Sequence, residues 1–131
     1  MSTTILVVDD HDEFRSLLRE LLGQAVDMNV VGETNDGPSA IRLAGELAPH
    51  VVLMDVVMPG MNGVEATRQI VISNPDIKVI ALSMHAEARF VEAMTGAGAS
   101  GYVLKDHAAR ELVTAIRAVA AGEPYVGSGL P

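Results

Sequence analysis

A doubly wound α/β domain, with a parallel sheet covered by helices on both faces, is the fold class this sequence predicts. Three observations predict it. Five short apolar runs rich in Val, Ile and Leu mostly lack polar alternation, as strands buried on both faces do. Segments of helical period follow each run, so strand and helix alternate five times. Acidic, hydroxyl and ammonium side chains stand where the runs stop. A length of 131 residues suits one domain.

The first run is Thr4–Val8, and after Asp12 the residues Leu17, Leu18, Leu21 and Leu22 form a helical stripe. Met28–Glu33 is the second run, followed by the stripe Ala40, Ile41, Ala44 and Leu47. Val51–Met54 is the third, followed by Val64, Thr67, Arg68, Ile70 and Val71. Lys78–Leu82 is the fourth. The helix after it, Ala86–Thr95, shows only Val91 and Met94 and runs into the glycine-rich stretch 96–101, so it is expected to be the most mobile element. Gly101–Leu104 is the fifth run, and Leu112, Ile116 and Val119 mark a last helix stopped by Gly122 and Pro124. The segment Glu123–Pro131 has turn chemistry and little periodicity, which fits the start of an interdomain linker or a C-terminal tail.

Composition removes several function classes. Half of the chain (49%) is hydrophobic, enough for a core, so disorder is excluded. No apolar run reaches the roughly 18 residues of a membrane span, and the N-terminus enters a strand-like segment with no signal-peptide pattern. Zero cysteines exclude disulfides, thiolate zinc sites and cysteine nucleophiles, and fit a reducing, cytoplasmic setting. A net charge of −8 repels a phosphate backbone, and 3% aromatics give no stacking platform, so no nucleic acid contact is expected of this domain alone.

The polar residues at the strand ends carry the functional signal. Asp9 and Asp10 end the first strand, Asp55 the third and Ser83 the fourth, while Lys105 follows the fifth. In an open parallel sheet the carboxyl ends share one edge, where ligands bind. Three carboxylates brought together repel by about 4 kcal/mol per pair at ~4 Å and an effective dielectric near 20, more than one lysine offsets. Oxygen-only ligands point to a hard cation such as Mg²⁺. A carboxylate beside Mg²⁺, with a lysine and a hydroxyl for phosphoryl oxygens, suits acceptance of a phosphoryl group. The histidines His11, His50, His85 and His107 lack metal-ligand spacing and read as surface or loop residues; His11 adjoins the acid pair, where it would tune the outer shell. Gly60, Asn62 and Gly63 make no Walker loop.

Asp9-Asp10, Asp55 with Met58-Pro59-Gly60 and Gly63, Ser83, and Tyr102-Val103-Leu104-Lys105 resemble the receiver domain of two-component response regulators over about residues 3 to 122. The wording Asp9-Asp-His-Asp, Leu82-Ser-Met-His and Leu104-Lys-Asp resembles the NarL/LuxR-type branch, whose members usually carry a C-terminal helix-turn-helix DNA-binding domain. The resemblance implies a flavodoxin-like (βα)5 sheet of five strands in the order 2-1-3-4-5, with residues 1–122 as the receiver, 123–131 as linker or tail, and the output domain absent from this chain. It implies Asp55 as phosphoacceptor, taking its phosphoryl group from a sensor histidine kinase. Asp10 and Asp55 would hold Mg²⁺ directly, Asp9 through water, and Val57 by its backbone carbonyl. Lys105 and Ser83 would bind phosphoryl oxygens, with Ser83 and Tyr102 as switch residues. The face of the fourth helix, fifth strand and fifth helix would be remodelled and could form a phosphorylation-dependent homodimer, and the full-length protein would control transcription.

Two positions depart from the family pattern. Asp106 stands where many receivers have a cis proline, which leaves the Lys105–Asp106 isomer open. Asp12 stands where the branch often has proline, and is expected to cap the first helix. The chain is not expected to be an enzyme beyond its own phosphorylation and dephosphorylation. One alternative is a hydrolase with an aspartyl-phosphate intermediate, disfavoured because Val57 occupies the place of its general acid. Another is a pseudo-receiver acting only through protein contacts.

Overall fold

The structure, a computed structural model, describes residues 2–131. In chain order the elements are β1 (Thr3–Val8), α1 (Asp12–Gly23), β2 (Met28–Thr34), α2 (Gly37–Leu47), β3 (Val51–Met54), α3 (Gly63–Ser73), β4 (Lys78–Ser83), α4 (Ala88–Gly96), β5 (Gly101–Leu104), a 3-10 turn (Lys105–His107), α5 (Ala108–Ala120) and β6 (Tyr125–Val126). All strand pairs are parallel, in the order β2-β1-β3-β4-β5-β6.

The strands lack alternation because both of their faces are covered. Ile5, Val7, Leu53, Ile80, Leu82 and Val103 point to one side, where Leu18 and Leu22 of α1 and Leu112, Ile116 and Val119 of α5 pack on them. The residues between them, including Leu6, Val8, Val52, Met54, Val79 and Ala81, point to the other side against Ala40 and Ala44 of α2, Ala66 and Ile70 of α3 and Met94 of α4. A strand residue of either parity thus meets an apolar layer. Within the first stripe, Leu18 and Leu22 are buried while Leu17 remains half exposed. Among the described residues no helix is long and apolar enough to cross a membrane.

Helix starts follow their caps. Asp36 accepts from the Ser39 N–H at 2.7 Å to open α2, and Asn62 accepts from the Glu65 N–H at 3.0 Å to open α3. The expected cap of α1 differs: His11 is the cap residue and makes no side-chain capping bond, while Asp12 is the first helical residue and pairs with Arg15. Asp12 lies one position too late to reach the N–H groups of the first turn from outside the helix.

The five-strand expectation is corrected by the tail. Tyr125–Val126 adds a sixth strand beside Gly101 and Tyr102 of β5. Tyr125 N–H donates to Ser100 O at 3.0 Å and Gly127 N–H to Tyr102 O at 2.9 Å, so the edge of β5 is paired. Glu111 of α5 holds the tail by accepting from the Ser128 N–H at 3.0 Å, the Tyr125 hydroxyl at 3.3 Å and the Ser128 hydroxyl. These bonds hold the Glu111 carboxyl below its ordinary pKa, the Ser128 hydroxyl contributing most. Tyr125, Gly127 and Ser128 are thereby bonded to β5 and α5.

Candidate functional site

The ends of β1, β3 and β5 meet at one edge of the sheet. β1 and β3 are neighbours in register, Val8 opposite Met54, so the residues that follow them, Asp9 and Asp55, emerge side by side. Asp55 N–H donates to Val8 O at 2.9 Å, which fixes that juxtaposition. The turn after Asp55 is drawn in by Gly63 N–H donating to Val56 O at 2.8 Å. Only glycine fits there: a Cβ on Gly63 would lie 2.0 Å from the Asp55 carbonyl oxygen.

Lys105, the first residue of the 3-10 turn after β5, reaches the acids. Its Nζ lies 2.6 Å from Asp9 Oδ2 and 3.3 Å from Asp55 Oδ2, and 4.8 Å from the centre of the Phe14 ring. Asp9, Asp55 and Lys105 are all buried, and Asp10 is partly so. An open cleft of about 480 Å³ lies over them, lined by Asp10, His11, Asp55, Val57, His85 and Lys105 among others. Burial raises the Asp55 pKa from 3.8 to about 6, outweighing the ammonium of Lys105; the charge of Asp9 pushes the same way.

His11 is an exposed loop residue, as expected, but its ring leans over the acids. Its Nδ1 is 3.0 Å from Asp9 Oδ1, 3.2 Å from Asp10 Oδ1 and 3.9 Å from Asp55 Oδ2. Its backbone N–H also donates to Asp9 Oδ1 at 2.8 Å. Sequence position gave adjacency to the acid pair, but the ring's orientation is a tertiary outcome.

Ser83 and Tyr102 do not line the cleft. Both are buried, and both hold His85 in the loop between β4 and α4: Ser83 Oγ accepts from the His85 N–H at 3.0 Å, and the Tyr102 hydroxyl donates to the His85 carbonyl at 2.6 Å. Burial raises the pKa of the Tyr102 hydroxyl. Ser83 does not cap α4, whose cap residue is Glu87. No sequence motif marks Phe14, and His85, though part of Leu82-Ser-Met-His, carries no sequence signal for a place in the site. Among the described residues no peptide bond is cis, and Lys105–His107 turn as a 3-10 segment after β5.

The donor set fits a divalent cation. Asp9, Asp10 and Asp55 outnumber Lys105, and Asp10 Oδ1 is buried without a hydrogen-bond partner. Together with His11 they offer ligand atoms within 4.8 Å of one another. A divalent cation held by these residues would neutralise and orient a phosphoryl group brought to Asp55.

Comparison with known proteins agrees in extent. Residues 5–117 match the family of the response regulator receiver domain. Response regulator GacA from Pseudomonas viridiflava is 45% identical over 122 residues, covering 93% of this chain and 57% of that protein. Transcriptional regulatory protein LiaR from Bacillus subtilis is 44% identical over 124 residues, covering 95% and 59%. A two-component response regulator of the LuxR family from Aurantimonas sp. SI85-9A1 superposes with a TM-score of 0.91 at 38% identity, covering 95% of this chain and 89% of that one. The chain spans less than two thirds of the length of the first two relatives.

Proposed function

The chain belongs to the response regulator receiver domain family of two-component systems, and we propose that it is a phosphorylation switch with Asp55 as its acceptor. The carrying observation is Asp55 itself, a carboxylate in the floor of an open cleft with Lys105 Nζ 3.3 Å away. In the metal-free domain burial raises its pKa to about 6, above that of an ordinary carboxylate.

In the step proposed, an Asp55 carboxylate oxygen attacks the phosphorus of a phosphohistidine on a sensor kinase. The P–N bond breaks, its electron pair leaves with the imidazole, and an acyl phosphate forms on Asp55. Lys105 is within reach to transfer its contact from Asp55 Oδ2 to a phosphoryl oxygen while keeping Asp9. Asp10 and Asp55 would hold Mg²⁺ directly, Asp9 through water and Val57 by its carbonyl; when bound, the ion supplies charge neutralisation between Asp55 and the incoming group. Asp9 suits the outer place, since its oxygens are already engaged by Lys105 and His11.

Ser83 is the residue that would take a further phosphoryl oxygen, and to do so its Oγ must loosen from the His85 N–H. Tyr102 grips the carbonyl of the same residue, so a shift at His85 reaches β5 and the α4-β5-α5 face. That face would pair two copies or meet another partner. In a longer protein like the relatives, control of transcription would pass through a C-terminal DNA-binding domain.

Intact mass after incubation with acetyl phosphate and Mg²⁺ tests the reading on wild type and Asp55→Asn. One added phosphoryl group on the wild type, lost with EDTA and in the variant, is the expected result. An adduct that persists in Asp55→Asn refutes the assignment. Steady turnover of phosphate esters would favour a hydrolase instead.

A further inference from the structure

The imidazole of His11 is not needed by the phosphoryl-transfer scheme, yet it sits among all three acids. We infer that His11 Nδ1 is a ligand of the cation held by this site, giving it one nitrogen donor and a preference for a first-row transition ion such as Mn²⁺ over Mg²⁺. The inference rests on the metal-binding reading of Asp10 and Asp55 and adds a ligand to it.

The geometry carries it. Two ligands at right angles around a six-coordinate ion with bonds of about 2.1 Å lie about 3.0 Å apart, and opposite ligands about 4.2 Å apart. His11 Nδ1 stands 3.2 Å from Asp10 Oδ1, near the right-angle spacing, and 3.9 Å from Asp55 Oδ2, about 0.3 Å short of the opposite spacing. Asp10 Oδ1 is buried without a hydrogen-bond partner, an acceptor that a cation beside His11 Nδ1 would satisfy, and Asp9 Oδ1 lies 3.0 Å from the same nitrogen. The residue is held there by its backbone, whose N–H donates to Asp9 Oδ1 at 2.8 Å, while 65% of the side chain remains exposed.

Donor chemistry gives the selectivity. An all-oxygen site suits Mg²⁺, whereas an imidazole adds affinity for first-row transition ions and little for Mg²⁺. Binding the ion at Nδ1 would replace the 3.0 Å contact of that nitrogen with Asp9 Oδ1 and place the ring proton on Nε2. His11 makes no side-chain capping bond to α1, so replacing it leaves that helix start intact.

Mn²⁺ is the probe. Its binding is followed by electron paramagnetic resonance on wild type, His11→Ala, His11→Gln and Asp10→Ala, with Mg²⁺ affinity read by competition. Both His11 variants are expected to lose about tenfold in Mn²⁺ affinity and less than about twofold in Mg²⁺ affinity. Electron spin echo modulation from a directly bound imidazole nitrogen is expected in wild type and absent in both. Mn²⁺ that needs Asp10 but shows no nitrogen modulation and keeps its affinity in His11→Ala overturns the His11 ligand alone. Mn²⁺ and Mg²⁺ binding that is absent, or indifferent to Asp10→Ala, overturns the metal site as well.

Discussion

Replacing Asp55 by Asn should make the metal-free domain more stable at neutral pH. Burial raises the folded-state pKa of Asp55 from 3.8 to about 6, so ionising this carboxylate costs folding free energy. Taken whole, the shift corresponds to about 3 kcal/mol; solvent reaching the mouth of the cleft reduces this to about 2 kcal/mol. Between pH 3.8 and about 6 the native state binds more protons than the unfolded chain, so wild-type stability falls as pH rises through that window. Below it the carboxyl is neutral in both states and the penalty vanishes. Asn is neutral throughout and nearly isosteric. It also leaves the ammonium of Lys105 paired, because the shorter contact of Lys105, 2.6 Å, is to Asp9. Urea unfolding in EDTA from pH 4 to 8 should therefore show Asp55→Asn gaining about 2 kcal/mol over wild type at pH 8 and little at pH 4. A variant less stable than wild type at pH 8, or a difference that does not change with pH, would refute the reasoning.

Mg²⁺ should raise the melting temperature of the wild type, because it relieves repulsion among Asp9, Asp10 and Asp55 in the folded state only. Asp10→Ala should largely abolish that rise in thermal scans, and an undiminished response would remove Asp10 from the ligand list. Gly63→Ala drives a Cβ into the Asp55 carbonyl, a backbone atom that cannot step aside. It should cost about 3 kcal/mol in denaturant unfolding and weaken the Mg²⁺ response; a neutral substitution would show that the turn is not so tightly drawn. Tyr102→Phe removes the hydroxyl bond to the His85 carbonyl and should cost about 1 kcal/mol in the same assay, with His85 amide exchange accelerated. Unchanged exchange at His85 would break the proposed link between Ser83 and Tyr102.

The strands were legible because burial on both faces writes itself as unbroken apolar runs: Val51–Met54 matches its observed limits, and Lys78–Leu82 falls short by one residue. The convergence of Asp9, Asp55 and Lys105 was legible too, since parallel strands bring their carboxyl ends to one edge. β6 was not, because a two-residue edge strand amid turn residues has no period to detect, and its anchor is Glu111 on a different element. The rotamer of His11 is fixed by contacts with Asp9 and Asp10 that sequence order does not specify. The grip of Ser83 and Tyr102 on His85 was not legible, because it runs through the backbone N–H and carbonyl of His85, which residue type does not reveal. Asp12 looked like a cap because its residue type suits one, and a one-residue difference in helix start removed that role.

The central claim is that the phosphoryl group resides on Asp55, and chemical trapping tests it most directly. Borohydride reduces an acyl phosphate on aspartate to homoserine, releasing phosphate. After treatment with acetyl phosphate and Mg²⁺ followed by borohydride, peptide mapping should find homoserine at position 55 and at no other aspartate. Homoserine at Asp9 or Asp10, or phosphate retained on a serine or histidine with position 55 unmodified, would contradict it.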